Sequence, residues 1–341
     1  MRPDLSAPRR LRWGPAAALL VLSPVCAEYL VGYDDSTGDP GALLAGLIVF
    51  VPLYGAPALL IRELSRRLEM GRPGILALAC AAGVAQAGII DQSMFSLDYR
   101  DIDYWAALIE PTWIAPLGTS ATTTIGFVAG HTLMSFGAPI AMVESFAPGR
   151  RPWLRLPGLI ATVGLYLAGA AVVLRWHLTT ESDHASTAQL AGAASVALLL
   201  IVLAVVLGRR RPRRGDGPVP APILVGTASL ALTFAYQLMP PTWLGVAGTL
   251  AILAGAALAV GRLARSRRWT GAHIAMLATG ALASSALVGF FSAPIGDVDP
   301  VARYAHNVFF LVGAIVLGLL AARSAGRRET REEPAGSTAV A

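Results

Sequence analysis

The chain has 341 residues, of which 55% are hydrophobic and only 14% are charged, and its formal net charge is +6. Soluble domains carry about 25% charged residues, so this composition excludes an ordinary soluble enzyme. The scarcity of charge, cysteine and heptads also excludes a disordered chain, a disulfide scaffold and a coiled coil. A multi-pass membrane protein remains. All 27 basic residues are arginine, a bias typical of high-GC bacterial genomes, and we infer no function from it.

Hydropathy predicts ten membrane-spanning helices. A helix needs about 20 apolar residues to cross a hydrocarbon core of about 30 Å. Ten stretches meet this requirement, and we number them spans 1 to 10. In chain order they cover residues 13–33, 41–61, 73–93, 121–143, 156–175, 187–208, 219–239, 242–261, 270–292 and 305–322.

The connections between the spans alternate in charge, which predicts the orientation. One side holds 24 of the 27 arginines, and only Arg100, Arg175 and Arg303 fall on the other, where acidic residues cluster. Arginines stay cytoplasmic during insertion, so both termini are predicted to be cytoplasmic. The predicted fold class is an all-α bundle in a bacterial cytoplasmic membrane. Insertion also explains the pI near 9.8 better than nucleic-acid binding does.

Polar residues inside the spans are concentrated in spans 1 to 4, whereas spans 5 to 8 consist mainly of Ala, Leu, Val and Gly. This difference predicts that the two halves of the chain have different roles. The predicted parts are a cytoplasmic N-terminus (1–12), a polar half with spans 1 to 4 (13–155), a scaffold half with spans 5 to 10 (156–322) and a disordered cytoplasmic tail (323–341).

Five polar residues form the predicted site for a substrate or a proton. Glu28, Gln86 and His131 are expected at one level, slightly outside the midplane, while Asp91 and His306 lie nearer the outer surface. A glutamate and a histidine at one level can pair. Three interpretations remain open: a structural hydrogen-bonded network, a proton or ion relay, and a catalytic or metal site. No metal-binding spacing such as HExxH supports the last, and we predict no metal, cofactor or catalytic residue.

Helix breaks and close packing are predicted in the same half. Prolines interrupt its spans at Pro24, Pro52, Pro57 and Pro139. Proline frees a backbone carbonyl and kinks a helix, and kinked helices commonly line cavities. Gly126 and Gly130 predict a small-residue packing face beside His131.

The longest outer connection covers residues 94–120. Its aromatic residues suit the membrane interface: Tyr99, Tyr104, Trp105 and Trp113. Residues 101–110 are predicted to form a short helix on the outer surface. We interpret the segment as an interfacial connector, with a lid over the level of Glu28 and His131 as the functional alternative.

Several motifs between residues 40 and 155 resemble those of uncharacterised bacterial multi-spanning proteins. They are Pro52-Leu-Tyr-Gly55, Leu60-Ile-Arg-Glu-Leu64, Gly83-Val-Ala-Gln-Ala-Gly88, Gln92-Ser-Met-Phe95, His131, Pro139-Ile-Ala-Met-Val-Glu144 and Pro152-Trp-Leu154. Such proteins are distantly similar to the CAAX-protease-like intramembrane family, also called CPBP or Abi.

The CAAX-protease-like family uses a Glu-Glu-xxx-Arg motif, a Phe-xxx-His motif and a His-xxx-Asn or Asp motif. Phe127-Val-Ala-Gly-His131 matches the second motif, but Gln86-Ala87 stands where the glutamate pair is expected. The third motif is missing, since Phe310 follows His306 by four residues. The resemblance therefore implies that peptidase chemistry has been lost.

The leading functional hypothesis is a membrane protein that binds or transports a small or lipophilic solute. The alternatives are a degenerate intramembrane hydrolase and an accessory subunit with a membrane partner. The lipid bilayer is the one partner that composition predicts directly, and nucleic acid is excluded.

Overall fold

The fold is described from a computed structural model, which describes residues 10–147, 151–210 and 213–332. Within these residues the chain is mainly helical, with one small two-stranded hairpin. Eight of the helices described there are long and apolar enough to cross a membrane. Span 7 is a shorter apolar helix, and span 1 joins an α-helix to a π-helical turn. The predicted all-α membrane class is confirmed.

The described helices occupy the ten predicted places. Their bounds are Arg10–Pro24 continued by Val25–Tyr29 (span 1), Pro40–Arg67 (2), Arg72–Ile90 (3), Ala121–Phe146 (4), Leu156–Thr180 (5), Thr187–Arg209 (6), Pro222–Gln237 (7), Trp243–Leu263 (8), Gly271–Val288 (9) and Pro300–Glu332 (10).

Two helix ends differ from the predicted ones. Span 1 ends at Tyr29 instead of residue 33, because the chain turns at Gly32 with a φ of +60° that favours glycine. Span 10 continues to Glu332, so residues 323–332, predicted to be disordered, are helical. Good helix formers such as Ala, Arg and Glu dominate this stretch. The rest of the predicted tail and residues 1–9 lie outside the described residues.

Helix starts follow simple backbone chemistry. Proline occupies the beginning of five spans: Pro40, Pro73, Pro157, Pro222 and Pro300. It fits there because its missing N–H would have no intrahelical partner anyway. At span 2 the Asp39 carboxylate also accepts hydrogen bonds from the amides of Gly41 and Ala42, at 2.8 and 3.1 Å.

Span 9 is the centre of one side of the bundle. Its apolar window is 72% buried, against 11% for each of spans 5, 6 and 8. It packs between spans 7 and 10 and against span 4. Small residues allow the backbones to approach, as at Gly280, which faces the carbonyl oxygen of Gly226. Spans 5, 6 and 8 present most of their surface to lipid.

Spans 1 to 4 form the other centre. Among their glycines the tightest position is Gly55 of span 2, where an added Cβ would lie 2.2 Å from the carbonyl oxygen of Leu20 in span 1. The predicted packing face of Gly126 and Gly130 is wrong, because nothing lies within 4 Å of a Cβ built at either position. Gly83 of span 3 is the glycine that contacts His131.

The connections gather at the two ends of the bundle, as the alternating charges require. At one end the N–H of Leu97 donates to Asp183 Oδ2 over 2.5 Å. We call this the acidic end, which is the predicted outer one. At the other end the N–H of Gly71 donates to the carbonyl oxygen of Gly208 over 2.7 Å. We call this the arginine-rich end.

Residues 94–120 form a cap at the acidic end. It contains the short helix Trp105–Ile109 and an antiparallel hairpin of Trp113–Ile114 with Thr119–Ser120. The predicted interfacial exposure does not hold for Trp105, which is only 5% exposed. Its Nε1–H donates to the carbonyl oxygen of Ser96 over 3.0 Å. Tyr104 beside it is 50% exposed.

Candidate functional site

Each of the first four spans contains a π-helical turn. The turns are Val25–Tyr29, Val51–Gly55, Gln86–Ile90 and His131–Gly137, and the described residues have no other. Such turns widen the helix, break its regular hydrogen-bond ladder and are frequently found at functional sites. They carry Glu28, Tyr54, Gln86 and His131, so three of the five predicted site residues lie in them.

A serine of span 1 lies within hydrogen-bonding distance of carbonyl groups in two of these turns. The Ser23 hydroxyl lies 3.0 Å from the carbonyl oxygen of Tyr54 and 2.6 Å from that of Ser135. Carbonyls in a wide turn lack their usual helical partner, and inside a membrane another protein group must supply it. Pro139 explains the missing donor at Ser135, because it stands four residues later and has no N–H.

Glu28 is held by tyrosine hydroxyls. It is 7% exposed, and the Tyr33 hydroxyl donates to its Oε2 over 2.5 Å. The Tyr54 hydroxyl also lies near this carboxyl group. Tyr33 follows the end of span 1, and burial raises its pKa well above the ordinary value, as does the charge of Glu28. Tyr33 therefore remains a protonated donor near neutral pH.

Gln86 and Asp91 are joined directly. The Gln86 side chain is buried, and its Nε2 donates to Asp91 Oδ2 over 3.1 Å. The other oxygen, Oδ1, accepts from the amide and hydroxyl of Ser93 at 3.0 and 2.7 Å. Asp91 is also close enough to Glu28 for their charges to interact. We call the following residues the acid–tyrosine cluster: Glu28, Tyr33, Tyr54, Gln86 and Asp91.

His131 borders this cluster without a described bond to Glu28. Its Nδ1 lies 3.2 Å from the Ser135 hydroxyl. Its ring packs on Tyr54 and Phe136, with centroid distances of 5.8 and 6.2 Å. Tyr54 thus contacts both Glu28 and His131. These are the two residues that were predicted to lie at one level and to pair.

His306 lies apart from the cluster and uses both ring nitrogens to hold the chain. Its Nδ1 accepts from the amide of Gly38 over 3.2 Å, so Nε2 carries the proton and donates to the carbonyl oxygen of Tyr29 over 2.7 Å. These contacts tie span 10 to the end of span 1 and to the connection that follows it.

A second buried polar group, which sequence reasoning missed, lies at the arginine-rich end. Arg62 and Glu63 are both 0% exposed and pair over 2.6 Å. Glu144 accepts from Arg62 Nε over 3.1 Å and from Arg66 Nε over 2.7 Å, and it also contacts Arg66 Nη2. We call Arg62, Glu63, Arg66 and Glu144 the inner ion cluster.

The connection before span 5 completes the inner ion cluster. The amides of Trp153 and Leu154 donate to the two Glu63 oxygens over 2.7 and 3.1 Å. The Arg62 guanidinium lies 3.6 Å from the centroid of the Trp153 ring. Three of the quoted motifs, Leu60–Leu64, Pro139–Glu144 and Pro152–Leu154, therefore meet in space. An acidic residue among arginines at a span end was the available sequence signal.

The described residues offer no group of three His, Cys, Asp or Glu side chains placed to hold a metal ion. Cys26 and Cys80 are not joined in a disulfide.

The cap covers the acid–tyrosine cluster. Tyr99 lies near Asp91, and burial raises the pKa of Tyr99, as does the charge of Asp91. The Trp105 ring stacks between Tyr99 and Phe127 of span 4, with centroid distances of 5.2 and 6.2 Å. The cap is thereby anchored on span 4, one helical turn before His131.

The Trp105→Phe substitution tests this anchoring. It keeps the aromatic contacts but leaves the Ser96 carbonyl oxygen without its donor, which we expect to cost about 1–2 kcal/mol. Amide hydrogen exchange across residues 94–98 should become faster. The control is Tyr104→Phe, on the exposed neighbour, and it should leave exchange unchanged. Equal exchange in both variants would contradict the anchoring role.

These features define the chain as a multi-pass, all-α membrane protein with buried polar clusters in its first four spans. It belongs to an uncharacterised membrane protein family, whose model matches residues 17–330. That range contains all five predicted site residues and the inner ion cluster. No curated protein and no solved structure matches the chain.

Proposed function

We propose that this protein binds a small solute at the acid–tyrosine cluster and carries it across the membrane. The observation that supports this most directly is that Glu28, Tyr54, Gln86 and His131 all lie in π-helical turns of spans 1 to 4. Buried carboxyl groups are costly in hydrocarbon and usually mark a pathway or a binding site. Spans 5 to 10 contain no such turn in the described residues.

Each predicted residue has a proposed role. Glu28 and Asp91 bind the polar part of the solute or a coupling proton, Gln86 orients Asp91, and His131 lines the wall beside Tyr54. His306 holds the connection at the approach from the acidic end. The arginine distribution supports a bacterial cytoplasmic membrane with both termini inside, so that the solute approaches from outside.

The geometry supports the hydrolase-like alternative less well. A general base must reach the proton that it removes. Glu28 accepts a hydrogen bond from the Tyr33 hydroxyl, and the described partner of His131 is Ser135. An accessory subunit, the other alternative, would need no access for water to these side chains.

Thiol labelling tests the proposal through water access. In a background with Cys26→Ala and Cys80→Ala, the variants Glu28→Cys and His131→Cys are treated with a membrane-impermeant thiol reagent. Both intact cells and inside-out vesicles are used, so that access from either face is detected. We expect labelling at both positions from at least one face.

Two controls define the range of this measurement. Asp98→Cys, on the exposed cap, should label in intact cells, and Ala278→Cys, buried in span 9, should not label. If positions 28 and 131 behave like position 278 from both faces, the cluster is dry and the proposed function is wrong.

A further inference from the structure

His177, in the last turn of span 5, has a buried ring without a hydrogen bond. Its side chain is 0% exposed, and neither Nδ1 nor Nε2 has a hydrogen-bond partner among the described residues. In contrast, His273 and His306 use both ring nitrogens, and His131 uses Nδ1. A neutral imidazole offers one donor and one acceptor, and burying them unpaired is costly. A ligand that engages the His177 ring would therefore be stabilised there.

A second histidine meets this ring from the connection between spans 5 and 6. The ring centroids of His177 and His184 are 5.5 Å apart, and the ring planes meet at 77°. Two imidazoles that bind one tetrahedral Zn²⁺ ion, with nitrogen–metal distances of about 2.0–2.1 Å, hold their centroids about 5 Å apart. His184 is exposed, so an ion can reach the pair from the acidic end. The spacing of the two rings thus fits one ion shared between them.

The end of span 5 favours a cation at this position. The carbonyl oxygen of His177 accepts from the amide of Glu181 over 3.0 Å, and this bond closes the last turn of the helix. The C-terminus of a helix carries a partial negative charge. Glu181 and Asp183 add two carboxylates just after it. Arg100 and Arg175 also belong to this region, but both are exposed, so water screens their charge.

The two ring nitrogens favour a transition-metal ion over Ca²⁺ or Mg²⁺. Imidazole nitrogen is a preferred ligand of Zn²⁺, whereas Ca²⁺ and Mg²⁺ prefer oxygen ligands. Within the described residues no third His, Cys, Asp or Glu side chain joins the pair in ligating position. Two protein ligands and water therefore make up the coordination that this site can offer.

We propose that His177 and His184 together bind one divalent transition-metal ion, such as Zn²⁺, at the acidic end of the bundle. One nitrogen of each ring binds the ion, and water molecules take the remaining positions. The site is separate from the acid–tyrosine cluster, and it does not depend on the proposed solute binding.

The connection that carries His184 also holds the cap. Asp183 Oδ2 accepts from the amide of Leu97 over 2.5 Å. Glu181 Oε2 accepts from the amide of Arg100 over 2.9 Å. An ion bound to His184 restricts the movement of this connection, so it also stabilises the cap over the acid–tyrosine cluster.

Titration calorimetry with ZnCl₂ tests the site on the purified full-length protein in detergent. We expect one ion bound per chain, which excess Ca²⁺ does not displace. His177→Gln and His184→Gln should each weaken Zn²⁺ binding by about tenfold or more, because each removes one of the two protein ligands. His184 is exposed, so its substitution leaves the fold intact. The matched control, Asp98→Asn, removes an exposed carboxylate of the cap and should bind Zn²⁺ like the wild type.

Amide hydrogen exchange tests the effect on the cap. Zn²⁺ should slow exchange across residues 97–100 in the wild type and leave it unchanged in His184→Gln. Unchanged exchange in the wild type at saturating Zn²⁺ would refute the stabilisation of the cap.

Three results of the titration would overturn the metal site. Absence of Zn²⁺ binding to the wild type would exclude it. Undiminished binding in His184→Gln would place the ion elsewhere on the protein. Loss of binding in Asp98→Asn, or displacement of Zn²⁺ by Ca²⁺, would assign the ion to carboxylates of the cap instead of the two histidines.

Discussion

Replacing Glu63 with glutamine is expected to lower the free energy of unfolding by about 3–5 kcal/mol, because breaking a buried ion pair leaves an uncompensated charge. Glu63 is 0% exposed and accepts from three donors: Arg62 at 2.6 Å and the amides of Trp153 and Leu154 at 2.7 and 3.1 Å. Arg67 forms a longer ion pair with it, at 3.6 Å. Glu63 accepts from Nη1 of Arg62, whose buried Nη2 has no hydrogen-bond partner among the described residues. Glutamine keeps the size of the side chain but removes the charge.

Thermal unfolding in detergent measures this effect. The matched control is Asp216→Asn, which breaks the pair with Arg267 at 3.9 Å, where both side chains are at least 70% exposed. Exposed pairs contribute little, so we expect a change within about 0.5 kcal/mol. A loss in Glu63→Gln no larger than that of the control would refute the structural importance of the inner ion cluster.

The second large effect is expected for Gly55→Ala. An added Cβ would lie 2.2 Å from the carbonyl oxygen of Leu20, so spans 1 and 2 must separate. Overpacking typically costs 1–3 kcal/mol, and we expect about 3 kcal/mol because backbone atoms form both sides of this contact. The separation would also lengthen the contact between the Ser23 hydroxyl and the carbonyl oxygen of Tyr54.

Thermal unfolding and thiol labelling at position 28 together check this prediction. Gly126→Ala, in span 4, provides the control, since nothing lies within 4 Å of a Cβ there. That variant should be as stable as the wild type or slightly more stable, because alanine favours helix over glycine. Equal stability of the two variants would show that the bundle absorbs the methyl group at Gly55 without strain.

The spans and their alternation follow from the sequence because both depend on local composition. Hydrocarbon thickness sets the length of an apolar run, and insertion sets the side on which arginines remain. The π-helical turns were not predictable in the same way. Prolines gave a partial signal in spans 1, 2 and 4, but the turn at Gln86–Ile90 has no proline within or beside it.

The directions in which the candidate site residues point could not be predicted from the sequence. Counting residues predicts Glu28 and His131 at one level. It does not predict the directions in which their side chains point, because both helices are kinked. The structure places Tyr54 between them, and Tyr33 reaches Glu28 from a turn after the helix. Contacts from a connection of this kind require the three-dimensional path of the chain.

The inner ion cluster was missed for a different reason. The insertion rule already explains arginines at the end of a span, so there was no reason to expect that these arginines are buried. Glu63 and Glu144 are 81 positions apart, and the Trp153 amide comes from a third segment. No pattern within one helix predicts a contact between three distant segments, although each segment belongs to one of the motifs quoted above.

The length of span 7 also has a consequence for the surrounding lipid. Its 16 residues measure about 24 Å, while its neighbour span 8, with 21 residues, measures about 32 Å. Ile223, Leu224 and Leu232 are exposed on span 7, so acyl chains touch the shorter helix directly. The leaflets must thin beside span 7 while span 8 tilts to fit the same bilayer. The free energy of this protein in the membrane therefore depends on bilayer thickness.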